Sequence, residues 1–253
     1  MEKCLQHAQS HSPDVLFLGG DMVMDSFDVH KERVDSQWAT FQNVLKANWS
    51  GPIEPCLGNH DVWGWGNYAR YQDEPLFGKG RAMEELQMGH PYRSFDQAGW
   101  HFVVLDSTHS LEGDGYTARL DDEQFEWLTS DLAQTPEDKP VFVLSHIPIL
   151  AACPFFDGDN EQTGNWQVPG AWMHIDARRI KDLFHRHKNV KLCASGHIHL
   201  QDHVRYNDVE YVCNGAVCGG WWNGSYQECL AGYAMIDLYD DGSFDNRYIA
   251  YDL

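Results

Sequence analysis

Two rhythms of apolar positions run along the chain. Short continuous runs at Val15–Leu18, 53–57, Val141–Leu144 and Lys191–Ala194 predict strands buried on both faces. Longer stretches repeat every three to four residues. Over 31–48 this puts Val34, Trp38, Phe41 and Leu45 on one helical face, and over 121–134 it does the same with Phe125, Leu128 and Leu132. Asp121-Asp122-Glu123 opens the latter helix, where the helix dipole favours acids. Residues 1–11, with Cys4, Leu5 and Ala8 on one face, and 174–187 are the other long predicted helices. Phe95–Asp96 and His101–Asp106 read as strands around the Gln97-Ala98-Gly99 turn, and 202–253 is strand-rich with turns at 206–208 and 240–242. Residues 62–92 form a Gly- and aromatic-rich loop region with a helix at 79–88, and 151–170 an irregular insert. No repeat or linker divides the chain, so 1–253 is read as one α/β domain.

Each of the four buried runs ends in a polar cluster: Gly19-Gly20-Asp21, Gly58-Asn59-His60-Asp61, Ser145-His146 and Gly196-His197-Ile198-His199. In open α/β sheets functional groups gather beyond the carboxyl ends of strands. Four such ends would join Asp21, Asn59, His146, His197 and His199 into one site. A carboxylate, an amide oxygen and three imidazoles make a mixed N/O set suited to Zn, Mn or Fe.

Charge narrows the partners. With 18 Lys+Arg against 38 Asp+Glu the chain carries −20, which repels nucleic acid and anionic membranes. A phosphate ester remains an acceptable substrate if a metal ion supplies local positive charge. No apolar run reaches 18 residues, and the first residues have no apolar segment of signal-peptide type; the compartment stays open. The seven cysteines include no CxxC pair and read as buried thiols.

The order of these four clusters resembles the calcineurin-like metallophosphoesterases, over nearly the whole chain. The resemblance implies a four-layer α/β/β/α sandwich and a two-metal site that hydrolyses phosphate mono- or diesters. It implies Asp21 as the carboxylate shared by both metals. Asn59, His146 and His197 then complete the second metal's shell, and His199 belongs to the first. His60 would assist the leaving group, with Asp61 orienting it.

One part of the pattern is missing. The family begins with a strand ending in Asp-x-His, ahead of the Gly-Asp motif, and the twenty residues before Asp21 contain none. The chain is therefore expected to lack the first strand, with Met1 at an internal position. Asp28-Val29-His30 spells the pattern but follows Gly20-Asp21, and Asp25 reads as a loop carboxylate. One metal site is then well formed. The first metal's site keeps only Asp21 and His199, below the usual three protein ligands. Strand 15–19 is expected to expose an edge through which copies of the chain associate. A weakened family member acting as a binding or scaffold module is the alternative to an enzyme. A secreted carbohydrate-binding β-sandwich would use the ten tryptophans but leaves the strand-end clusters unexplained. Trp63, Trp65, Tyr68, Tyr71, Phe155, Phe156, Trp166, Trp221, Trp222 and Tyr226 flank the motifs and read as cleft walls or loop packing. Asp157–Glu161 reads as a solvated acidic turn and His174 as a structural histidine.

Overall fold

The computed structural model describes residues 1–111 and 113–251. In chain order the elements are α1 (Glu2–Ser10), β1 (Leu16–Leu18), α2 (Lys31–Asn48), β2 (Ile53–Pro55), α3 (Tyr68–Tyr71), α4 (Gly80–Glu85), β3 (Arg93–Gln97) and β4 (Trp100–Val104). There follow β5 (Thr108–Ser110), β6 (Tyr116–Ala118), α5 (Asp122–Gln134), β7 (Val141–Leu144), α6 (Ala177–Arg186), β8 (Val190–Ser195), β9 (Gln201–Tyr206), β10 (Val209–Asn214), β11 (Gly232–Leu238) and β12 (Phe244–Ala250).

Three apolar clusters stack these elements into four layers. Leu5, Ala8, Val34, Trp38, Phe41 and Leu45 of α1 and α2 cover Leu16, Leu18 and Ile53 of the parallel ribbon β1–β2. From that ribbon and the β11–β12 hairpin, Phe17, Ile236, Leu238 and Phe244 pack on Trp100, Phe102, Val104, Phe142, Leu144, Leu192 and Val212. These belong to a six-stranded sheet of order β3-β4-β7-β8-β10-β9. Its inner pairs β4–β7, β7–β8 and β8–β10 are parallel, and β3 and β9 close it antiparallel. Alternation along the strands sends Val103, Val141, Val143, Cys193 and Tyr211 to the opposite face, against Phe125, Leu128 and Leu132 of α5 and Ile180, Leu183 and Phe184 of α6. The α/β/β/α arrangement expected from the sequence is thus present.

The helical faces read from the sequence are the buried ones in α2 and α5. Asp121 caps α5, accepting a hydrogen bond from the Gln124 N–H at 2.7 Å. Three details differ. β1 is half-buried along its length rather than buried on both faces. Among the described residues it pairs with β2 alone, so no second strand is hydrogen-bonded along its other side. The helix expected at 174–187 begins at Ala177, because the N–H groups of His174 and Ile175 are taken by Pro148 O and Ala118 O. The β5–β6 hairpin, whose strands are three residues long, was absent from the pattern reading.

Candidate metal centre

The loops following β1, β2, β7 and β8 lie together and hold Asp21, Asn59, His146 and His197 on one another. His146 Nδ1 donates to the Gly19 carbonyl at 2.8 Å, so in the neutral ring Nε2 is the acceptor. Around that nitrogen stand Asp21 Oδ2 at 3.2 Å, Asn59 Oδ1 at 3.2 Å and His197 Nδ1 at 3.2 Å. His197 Nε2 donates to Ala171 O at 3.0 Å, which leaves its Nδ1 as an acceptor as well. Asp21, His146 and His197 bring their ligand atoms within 4.8 Å of one another. Asn59 and His146 are buried.

Four lone-pair donors face each other here, and buried acceptors that lack a shared proton repel. A divalent cation among them resolves the conflict, and one carboxylate, one amide oxygen and two imidazoles are ligands such an ion accepts. The residues fit the group.

The backbone is bent to make this possible. Asp21, His197 and His199 have φ of 56°, 69° and 62°, a region L-residues adopt uncommonly and one that concentrates at functional sites. Two glycines are required by close approach. A Cβ on Gly20 would lie 2.2 Å from His146 Nδ1, and one on Gly58 would lie 2.1 Å from Asp21 Oδ1.

Asp61 has a different place from the one expected. Its side chain is buried, with Oδ2 accepting from the N–H of Asp21 and of Gly58, each at 2.9 Å, and Oδ1 from that of Met22 at 2.8 Å. It therefore clamps the loop after β1 to the loop after β2. Asp21 returns the tie, its Oδ1 accepting from the His60 N–H at 2.8 Å. The carboxylate nearest the His60 ring is that of Asp25, with Oδ1 3.6 Å from Nδ1. His60 Nδ1 is buried and otherwise unpartnered. Asp25 is held in turn by the Phe27 N–H and by Gln37, which bonds both its N–H and its carbonyl.

Charges follow from this packing. Burial pushes the Asp21 carboxyl up, but the neighbouring His146 imidazole more than reverses it and holds it below the usual range. Burial, and then the adjacent Asp21, push Asp61 up to about 7, against the N–H donors that favour its anion. Burial, and then His146, push His197 down to about 3, so it stands as a neutral ligand. Burial pulls His146 down, and Asp21 outweighs it, leaving the ring above its ordinary value. His60 is likewise raised, the Asp25 carboxylate overcoming the effect of burial.

His199 stands outside the tight group. Its Nδ1 donates to Gly219 O at 2.8 Å, and its ring lies 4.7 Å from that of Trp221. Asp28 and His30 are exposed, with His30 Nδ1 against Arg70, away from the ligand set. Asp157 accepts from the Tyr226 hydroxyl, and Asn160 donates to the carbonyls of Pro154 and Asp157. His174 is buried between Asp176 and Ser145, which makes it structural. Sequence reasoning missed the supporting acceptors Gly19 O, Ala171 O and Gly219 O. They are backbone atoms, so no residue type signals them; each fixes which imidazole nitrogen is free.

The model of the calcineurin-like phosphoesterases matches residues 1–201, and the chain belongs to that family, whose chemistry is the hydrolysis of phosphoesters. Among its relatives is a 3',5'-cyclic-nucleotide phosphodiesterase of Nostoc sp., 23% identical over 159 residues. That alignment covers 61% of this chain and 54% of the relative, so this chain spans about half of that relative's length. The 3',5'-cyclic adenosine monophosphate phosphodiesterase CpdA of Escherichia coli is 22% identical over 240 residues, 92% of this chain and 73% of CpdA. The fold matches a dimetal phosphatase from Danio rerio with a TM-score of 0.63 at 14% identity, over 92% of this chain and 82% of that one. It matches the purple acid phosphatase PPD1 of yellow lupin with a TM-score of 0.52 at 18% identity, over 84% and 38% respectively.

Proposed function

We propose that this chain hydrolyses phosphodiesters with a divalent Mn, Fe or Zn ion held by Asp21, Asn59, His146 and His197, and that cyclic nucleotides are its substrate class. The observation that carries the reading is the convergence of three acceptor atoms on His146 Nε2, each at 3.2 Å. The printed activities of the Nostoc and Escherichia coli relatives supply the substrate class.

A bound cation would polarise the phosphoryl oxygens and activate water at neutral pH. The chain does the rest. Asp61 fixes the two loops so that Asp21 and Asn59 keep their positions. Gly19 O and Ala171 O hold the imidazoles in the tautomers that face the ion. His60 lies beside the ligands with Nδ1 toward Asp25, whose carboxylate favours the protonated ring, and in that imidazolium the Nε2–H is the proton available to the leaving oxygen. Contacts of this kind are often long before substrate binds, which accommodates the 3.6 Å separation.

A second cation would draw on Asp21 and His199, and two protein ligands fall short of the three that catalytic sites normally use. We therefore expect one tightly held ion per chain. The test is metal analysis of dialysed protein together with hydrolysis of bis-p-nitrophenyl phosphate and of 3',5'-cyclic adenosine monophosphate in added Mn, Fe or Zn. One retained ion with metal-dependent turnover supports the reading. Two retained ions refute the single-site assignment. Metal uptake without turnover of any diester leaves the binding or scaffold role, which His199's position outside the ligand set favours.

A further inference from the structure

We propose that Trp221 is the stacking platform for the substrate's nucleobase; this rests on the phosphodiesterase reading above and names the side chain that selects for the base. Trp221 lies in the segment between β10 and β11, with its ring centroid 4.7 Å from that of His199 and the planes inclined by 35°. His199 belongs to the same loop as the ligand His197, so the indole borders the place where the phosphate must lie. Tyr226 meets Trp221 edge-on, at 5.2 Å and 89°, and lies 6.0 Å from His199. The Tyr226 hydroxyl donates to Asp157, which ties this aromatic wall to the 151–170 insert.

The pose is imposed rather than relaxed. Trp221 and Trp222 both have left-handed backbones, with φ of 53° and 68°. For bulky residues this is a true outlier, kept only where the surrounding structure imposes it. Hydrogen bonds hold the turn there: Trp222 N–H to Cys218 O at 2.8 Å, Gly220 N–H to Gly224 O at 2.8 Å and Asn223 N–H to Gly220 O at 3.0 Å. Yet the indole so fixed is 43% exposed. A single exposed aromatic needs no explanation. An exposed one, strained into place and braced against a histidine of the candidate site, does. A nucleobase supplies what is absent: a flat, uncharged π-face that gains from stacking and is not repelled by a chain of charge −20.

The test is equilibrium binding of AMP and of ribose 5-phosphate to the metal-loaded full chain. The two share a phosphate and differ in the base. Wild type is expected to bind AMP about 5- to 100-fold more tightly, the range of one base–aromatic stack. Trp221→Ala should bring that ratio near one while leaving ribose 5-phosphate binding unchanged. Trp221→Phe should keep most of it. Trp221→Gly, which suits the left-handed backbone, removes the ring without a folding penalty and should behave as the alanine variant does. A wild-type ratio near one, failure to bind either compound, or a ratio that survives Trp221→Gly overturns the proposal. Base preference without turnover of any diester would defeat the phosphodiesterase reading and leave the platform standing. Turnover without base preference would do the reverse.

Discussion

Asp61→Asn separates a loop clamp from a partner of His60. In the folded chain the Asp61 side chain is buried and accepts three backbone N–H bonds, from Asp21, Gly58 and Met22. An asparagine oxygen placed where Oδ2 stands keeps the bonds from Asp21 and Gly58, but as neutral rather than charge-assisted bonds. Its NH2 then faces the Met22 N–H, donor against donor. Weakening two bonds costs about 0.5–1.5 kcal/mol each, and orphaning a buried N–H costs about 1–3 kcal/mol more. The sum is about 2–6 kcal/mol, or roughly 4–24 °C in melting temperature for a chain of this size. Because the Asp21 and Gly58 backbones are what Asp61 holds, metal affinity should fall as well. The assay is thermal unfolding of the metal-free protein, with calorimetric metal titration alongside. Asp25→Asn is the control: its carboxylate is partly exposed, and an amide oxygen can keep the single bond from the Phe27 N–H, so stability should change little while turnover of diesters with poor leaving groups falls. If Asp61→Asn melts within about 1 °C of wild type and only turnover drops, the clamp argument is wrong and Asp61 serves His60.

Gly20→Ala should abolish metal binding in calorimetry, because its Cβ would lie 2.2 Å from His146 Nδ1 at a backbone φ of 105°. Asn59→Ala removes a ligand and should weaken the metal by more than the roughly 10- to 100-fold typical of an outer partner, whereas His199→Ala should leave the tight ion in place. His101 is buried between Asp131 at 2.9 Å and Asp96 at 2.7 Å, and the Asp131 carboxylate, against burial, holds its pKa above the ordinary histidine value. Its contribution to stability is thus complete below the unfolded histidine pKa and is lost as pH rises through the folded value; denaturant titrations at several pH values should show this fall, and His101→Gln should flatten it. The open edge of β1 is expected to bring copies of the chain together, and a single monomer boundary in sedimentation at rising concentration would dispose of that idea.

The strands carrying the ligands were legible because each is a short apolar run broken by a small residue, glycine in three and Ser145 in the fourth, and then by metal-ligand side chains, a local signal. The two long amphipathic helices were legible for the same reason: Val34, Trp38, Phe41 and Leu45 repeat at helical spacing and are buried. What the sequence left out is relational. Nothing in Gly58-Asn59-His60-Asp61 says that the fourth residue turns back to accept three N–H groups while the third faces Asp25, thirty-five residues upstream. A carboxylate beside a histidine in sequence suggests a pair, but the tight turn puts the two side chains to different uses. The sequence likewise spaces His197 and His199 two apart without saying which joins the ligand set. Their left-handed backbones, and the separate carbonyls of Ala171 and Gly219 that receive their ring N–H groups, decide it.

The same electrostatic reasoning joins the global charge to the local geometry. A chain of charge −20 gains nothing from collecting acceptor atoms in a buried pocket unless a cation is to sit there. The ligand residues are therefore a load on the metal-free fold: Asp21, Asn59, His146 and His197 crowd one another, relieved only by the proton that Asp21 favours on His146, on strained loops that Asp61 and two close-packed glycines hold in place. Stability invested elsewhere, in the clusters around Trp38 and Leu128, must carry that load. It follows that metal should raise the melting temperature of this chain markedly, and that the rise should be lost together with the four ligands and not with His60.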